Sequence, residues 1–263
     1  SMKNKSTVFE ELMEFVKELP LVDCHDHSHK PEPALKDPIH ALLDGYFLTD
    51  VKSVSSDAEG DFLLDTKKDW KERWPTFEKV WRLAKNTGYG MVLKKVLKEF
   101  YGIEELTFDT MKSMENRLLK LEDAAVFDEI LEKAKIKVRI ADIWEDPQQP
   151  ARIAQEAVLD GSLKLPPRGR ITIPLRDYHN VFSFEDIQHR MGPLNRSVTT
   201  LDEYIEGCFD IFIAYKEFGA VAFKDQTPYR RAINYGNPTR AEAEKVFNFL
   251  LSNPRTSEQY PGT

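Results

Sequence analysis

The sequence predicts an α/β protein built from parallel β/α units, and three features carry that expectation. Short apolar, β-branched runs stand at 21–27, 137–143, 170–175 and 220–224. Stretches with helical periodicity separate them. One long, almost wholly helical stretch, 28–136, falls between the first two runs and carries apolar faces of its own.

The elements follow in chain order. Thr7-Val8-Phe9-Glu10 has the form of a capping box, and Phe9, Leu12, Met13 and Val16 continue at i, i+3, i+4 and i+7. Leu19-Pro20 ends that amphipathic helix, and the first strand follows at 21–27. From Pro38 to about Ala134 the pattern is helical, with segments at 68–85, 89–101, 107–120 and 122–134. In the last of these Phe127, Ile130, Leu131 and Ala134 form the face expected to be buried. The strand 137–143 is bounded by Glu145-Asp146-Pro147, and the strand 170–175 starts after the breaker cluster Pro166-Pro167-Arg168-Gly169. Thr200-x-x-Glu203 opens a helix over 200–218 expected to bury Leu201, Ile205, Cys208, Phe209 and Phe212. After the strand 220–224, Thr239-x-x-Glu242 opens a last helix, 239–251, with Ala243, Val246, Phe247 and Leu250 on one face. There is no internal repeat and no low-complexity segment. The expected division is 1–27 (helix and first strand), 28–136 (helical insertion) and 137–263 (further β/α units). A long excursion from the end of a strand often builds a lid or a substrate wall.

Composition narrows the function. The 263 residues are 41% hydrophobic and 31% charged, enough for a sizeable core, and the net charge is -7. With pI near 5.5 and no dense Lys/Arg cluster interleaved with aromatics, a nucleic-acid partner is not expected. Two cysteines, Cys24 and Cys208, form no disulfide framework, which suits reduced thiols in a cytoplasmic protein. No run of about 18 apolar residues and no signal-peptide core is present, so no membrane partner is expected. Ser1 before Met2 reads as the scar of a cleaved expression tag.

The chemistry concentrates at strand ends. In Leu21-Val22-Asp23-Cys24-His25-Asp26-His27 the two histidines are two residues apart, and on a strand such residues share a face. Two neutral imidazoles directed at one point make half of a divalent-metal site. Asp23 and Asp26 are expected on the opposite face, in packing or hydrogen bonding, and Cys24 is expected to be a small buried residue. At the other strand ends stand Asp142, then Asp177 with His179 beside Arg176, then Lys224 with Asp225, followed by Arg230 and Arg231. Asp142 is open between a cap or loop carboxylate and a site residue, and His179 between a loop position and a substrate contact. His29, His40 and His189 have no supporting context. Lys224 has four roles open to it: a surface ammonium, a cation for a substrate carboxylate, a base, or a carbamate made with carbon dioxide that ligates through oxygen.

With these residues in view the chain resembles the amidohydrolase superfamily, and within it the uronate-isomerase-like branch. Asp23-x-His25-x-His27 followed by a large helical insertion carries the likeness. So do Trp81-Arg82-Leu83-Ala84-Lys85-Asn86-Thr87-Gly88-Tyr89-Gly90, Phe100-Tyr101-Gly102-Ile103, and Val221-Ala222-Phe223-Lys224 with Tyr229-Arg230. The resemblance implies a (β/α)₈ barrel of the TIM type holding one or two divalent metals, zinc first, with manganese or iron as alternatives. It implies His25 and His27 as metal ligands and Lys224 as a lysine that some members carbamylate to bridge two metals. The implied reaction is hydrolysis of an amide, ester or lactone of a small polar, carboxylate-bearing molecule, for which Arg176, His179, Arg230 and Arg231 are candidate contacts. A uronate-type aldose–ketose isomerase is the alternative enzyme, and a non-catalytic half-barrel the alternative to an enzyme.

The chain departs from the family after Lys224, where no histidine follows. Setting the insertion aside leaves roughly 150 residues, enough for about four β/α units at the residue cost of a full barrel. The histidines on strands five and six and the catalytic aspartate on strand eight that the resemblance implies are therefore expected beyond Thr263, with the missing half-barrel truncated, cleaved off, carried on another chain or supplied by a second copy.

Overall fold

The computed structural model describes residues 5–27, 34–142, 150–165, 167–229 and 231–253. It is an α/β structure whose element order begins α1 (Lys5–Glu18), β1 (Leu21–Asp26), α2 (Pro38–Leu43), α3 (Phe47–Val54), α4 (Asp57–Leu64), α5 (Trp70–Ala84), α6 (Gly88–Val96) and α7 (Phe108–Met114). It continues α8 (Ala124–Lys133), β2 (Ile136–Ala141), α9 (Pro150–Leu159), β3 (Gly169–Pro174), α10 (Arg176–His179), α11 (Phe184–Met191), α12 (Leu201–Phe218), β4 (Ala222–Lys224) and α13 (Arg240–Ser252). The chain divides into two compact units, Ser1–Lys30 with Asp128–Thr263, and Pro31–Phe127.

The first unit holds a four-stranded sheet, all parallel, in the order β1-β2-β3-β4. Parallel neighbours need a crossover, and among the described residues α9 runs from β2 towards β3 and α10 to α12 run from β3 to β4. Alternation is clearest in β3, where Ile171 and Ile173 are buried and Arg170 is exposed. Those isoleucines pack with Val158 of α9, Ile187 and Met191 of α11, and Ile211 and Tyr215 of α12. Gly207 of α12 faces Met191 so closely that a Cβ there would come within 2.4 Å of the thioether sulfur. Arg168 joins the start of β3 to α8: its guanidinium pairs with Asp128 and Glu132 and donates to Ile136 O.

The second unit, read by itself, is helical around Trp70, Trp74, Phe77, Trp81, Leu43 and Met111. Buried within it is Arg73, fully enclosed, which donates to Leu63 O at 2.8 Å and pairs with the Asp37 carboxylate. Asp37 also caps α2, accepting His40 N–H at 2.9 Å.

Several sequence expectations need correction. The helix α1 begins at Lys5, so Thr7 lies inside it and is not its cap; neither Pro nor Gly stands just ahead to stop the helix from propagating past Thr7. Its apolar residues Phe9, Leu12 and Val16 are exposed. In α12 the buried positions are Tyr204, Gly207, Cys208, Ile211 and Tyr215, whereas Ile205 and Phe209 are exposed. Both faces of this helix are apolar, and only one meets the core. Ala134 is exposed, Leu131 is buried, and Cys24 is exposed rather than buried. The helices α9, α10 and α11 had no counterpart in the sequence reading, although Ser183 caps α11 by accepting Asp186 N–H at 3.1 Å. The caps at Thr200 and Thr239 are complete boxes, as the spacing predicts. Ile143 and Glu145-Asp146-Pro147 lie outside the described residues.

Removing one member of a buried ion pair strands the other charge, at a cost of about 3–5 kcal/mol. Asp37→Ala is expected to destabilise the helical unit by about that amount, and Asp37→Asn, which keeps the cap acceptor, by most of it. Urea unfolding followed by tryptophan fluorescence measures this, since Trp70, Trp74 and Trp81 all lie in that unit. A loss below about 1 kcal/mol for Asp37→Ala would show that the pair does not hold the core.

Candidate functional site

Because the four strands run parallel, their C-terminal ends lie along one side of the sheet, and two side-chain clusters form there. The first contains His25, His27, Asp142 and Lys224. In β1, the four residues from Asp23 to Asp26 span what three residues span in β2, Arg139 to Ala141. This is a bulge, which re-aims side chains at a strand end. His25 Nε2 and His27 Nε2 lie 2.9 Å apart, with the rings edge to face. Lys224 Nζ lies 3.1 Å from His25 Nδ1 and 3.5 Å from Asp142 Oδ2, and His27 Nδ1 lies 4.0 Å from the same oxygen.

Asp142 is buried, and its Oδ1 accepts the Thr172 hydroxyl at 2.9 Å. Its Oδ2 is buried and accepts no hydrogen bond among the described residues, so the Lys224 ammonium is its nearest compensation there. Asp142 thereby belongs to the cluster, and Thr172 is a member that sequence reasoning missed. Asp26 sits between the histidines and pairs with the buried Arg139, whose Nε is 3.0 Å from Asp26 Oδ2. Asp26 O also accepts Asp142 N–H at 3.1 Å. Asp23 has the same parity as His25 and so is not expected opposite it by strict alternation; its Oδ1 accepts His25 N–H at 3.1 Å.

Where Lys224 is an ammonium, the tautomers of neutral rings in this cluster follow from its donors. An ammonium only donates, so His25 Nδ1 is an acceptor and the single proton of a neutral His25 sits on Nε2. That proton points at His27 Nε2, leaving the His27 proton on Nδ1, towards Asp142. A cation held by both Nε2 atoms takes the place of the proton between them. At 2.9 Å apart, the two ring nitrogens are close enough that one divalent cation could be held by both, since metal–nitrogen bonds are about 2.0–2.1 Å long. The two histidines therefore fit a divalent cation. Among the described residues no group of three or more His, Cys, Asp or Glu side chains converges in this way.

The second cluster surrounds Asp225. Its Oδ1 accepts Thr227 N–H at 2.9 Å and the Thr227 hydroxyl at 2.6 Å. Its Oδ2 accepts the Tyr235 hydroxyl at 2.9 Å and lies 3.3 Å from His179 Nε2. Partial burial raises the pKa of this carboxyl, but the hydrogen bonds from Thr227 and Tyr235, with the electrostatic effect of nearby His179, outweigh it and bring the pKa from 3.8 to about 2. Tyr235 carried no signal in the sequence beyond being an aromatic ten residues after Asp225.

The remaining candidates fall around these clusters. Arg176 Nη1 donates to Gln226 Oε1 and Nη2 pairs with Asp177, each at 3.3 Å. Arg231 is exposed, with its guanidinium 5.2 Å from the centre of the Tyr235 ring. Arg230 and His29 lie outside the described residues. His40 belongs to the helical unit, where its Nδ1 accepts Lys36 N–H at 3.4 Å. Among the described residues no helix is long and apolar enough to cross a membrane.

A carboxylate whose folded value lies below its ordinary one adds stability above about 3.8 and loses it as pH falls through about 2. Wild type is therefore expected to exceed Asp225→Asn in stability between pH 5 and 7, by about 1 kcal/mol once solvent screening is allowed for. The gap should close as pH falls from about 4 to about 2. Urea midpoints at pH 7 and pH 3 measure it, and a gap that widens at pH 3 would contradict the assignment.

In comparisons with known proteins, no family model and no curated sequence matches this chain.

Proposed function

We propose that this chain carries part of a metal-dependent hydrolase site of the amidohydrolase type, in which His25 Nε2 and His27 Nε2 hold a divalent cation. The observation that carries the reading is the 2.9 Å convergence of those two atoms at the C-terminal end of β1. The sequence resemblance to the superfamily supports it independently. A divalent cation in such a site polarises a scissile carbonyl and makes water acidic enough to attack it near neutral pH. Zinc suits two imidazoles best, with manganese or iron as alternatives.

The protein groups have separate tasks in this reading. Asp26, clamped by Arg139, holds the segment that presents both imidazoles. Lys224 compensates Asp142 and can steer a substrate carboxylate. Its 3.5 Å approach to a buried carboxylate oxygen favours the ammonium over a carbamate, which would set two anions side by side. Arg176 and Arg231, with their planar forks, are the groups for a substrate carboxylate. The uronate-isomerase alternative rests on the helical segments of the sequence, and a panel of uronates beside esters and lactones separates the two.

We further propose that the sheet is completed into a barrel of the TIM type by β/α units from a second copy or another chain. Supporting this are β1 and β4, the edge strands among the described residues, and apolar groups exposed near them. Leu21 and Val22 are exposed at one edge, and Phe223 at the other, with Ile205, Phe209 and Ile213 along α12.

Two outcomes are expected. Dialysed against zinc, the wild-type chain should retain about one equivalent, and His25→Ala with His27→Ala should weaken binding at least about tenfold with unchanged circular dichroism. Unchanged stoichiometry in the double variant sinks the metal assignment. In light scattering the purified chain should exceed its 30.4 kDa mass, and Phe209→Lys with Ile213→Lys should reduce it to a monomer. A wild-type monomer at every concentration removes the second copy as the completing partner.

A further inference from the structure

The strand-end cluster at Asp225 has a chemistry of its own. His179 closes α10, a single turn that follows β3, and Asp225 directly follows β4. Leu175 N–H donates to Lys224 O at 2.9 Å, which pins the two segments together. We propose that His179 is a proton-transfer residue whose tautomer and direction are fixed by Asp225. The identity of the proton it moves rests on the hydrolase reading; the existence of the pair does not.

Asp225 is saturated and anchored by Thr227 and Tyr235, so it cannot rotate to follow the imidazole. An ionised carboxylate accepts only, so His179 Nε2 must donate to it and the neutral ring carries its proton there. Nδ1 is then left with a lone pair and accepts nothing among the described residues. The Tyr235 ring, edge to face at 5.6 Å, sets the plane of the imidazole. The His179 side chain is 29% exposed, enough for a small molecule to reach it. This is the arrangement in which a carboxylate orients a histidine base and stabilises its protonated form. A proton passes from a water or hydroxyl oxygen to Nδ1. The oxygen keeps the electron pair and bonds to the acyl carbon, the imidazolium stays paired with Asp225, and its Nδ1 proton passes to the leaving oxygen as the acyl C–O bond breaks.

Nitrogen-15 spectra of the full chain labelled at histidine test the pair directly, with His179→Gln giving the assignment. The expected result is that the neutral ring of His179 is the Nε2–H tautomer, with a shift towards Nδ1–H in Asp225→Asn, whose amide can donate. Hydrolysis of 4-nitrophenyl acetate and δ-valerolactone by the zinc-loaded chain tests the transfer. His179→Gln and Asp225→Asn should each lower kcat about 100-fold, with KM and bound zinc little changed. An Nδ1–H tautomer in the wild type, or wild-type kcat in His179→Gln, overturns the proposal. Absence of turnover by the zinc-loaded wild type would overturn the hydrolase reading and the transfer role with it, while the spectra would still decide whether Asp225 orients His179.

Discussion

The parallel pairing of β1 to β4 in sequence order is the constraint on which both strand-end clusters depend. An antiparallel neighbour would send its C-terminal end to the far side of the sheet. Here every strand delivers its last residues to the same side, and backbone hydrogen bonds tie those ends together. Asp142 N–H reaches Asp26 O, and Leu175 N–H reaches Lys224 O. Residues as far apart in sequence as His25 and Lys224 thereby come within hydrogen-bonding distance. The crossover helices make this possible, because a parallel neighbour cannot be reached through a tight turn.

Buried charge then fixes what the pairing has assembled. Arg139 in β2 is almost wholly enclosed and holds Asp26 between the two histidines. A segment that carries two exposed imidazoles would otherwise have few contacts to hold it in one conformation. The same backbone residue accepts from Asp142, whose carboxylate is kept in place by Thr172 and compensated by Lys224. Each partner satisfies a group that would be costly to bury alone, so the cluster is rigid through mutual need rather than through packing.

How much of this was legible in the sequence depends on the range of the interaction. The strand positions and the caps at Thr200 and Thr239 are local and came through, and so did the approach of His25 to His27, although His27 lies just past β1 and the bulge before it helps to aim the rings. Thr172 with Asp142 was not legible, because it follows from the β2–β3 register, which places Ile171 beside Ala141 and makes their successors neighbours. Tyr235 was missed for a similar reason: its hydroxyl reaches Asp225 only because the segment after β4 folds back. In α12 the pattern misled, since apolar residues occupy both faces and periodicity cannot say which face meets the core. Thr7 shows the limit of a cap motif, which marks a helix start only where the preceding backbone leaves the helix.

The last residue of β4 and the residue after it feed the two clusters with opposite charge. Lys224 reaches His25 and Asp142, whereas Asp225 reaches His179, Tyr235 and Thr227. A displacement of β4 therefore moves both clusters at once, although no side chain is shared between them. Yet β4 is the shortest strand, three residues long, and among the described residues it pairs on one side only. Its exposed Phe223 packs against Phe212 with ring centroids 5.3 Å apart, and Phe212 in turn meets the exposed Phe209. The apolar strip at this edge is thus continuous with the strand that sets both charges. A partner that covered Phe209 and Phe223, as proposed above, would also restrain β4, and completion of the sheet would then align the candidate catalytic groups in the same step.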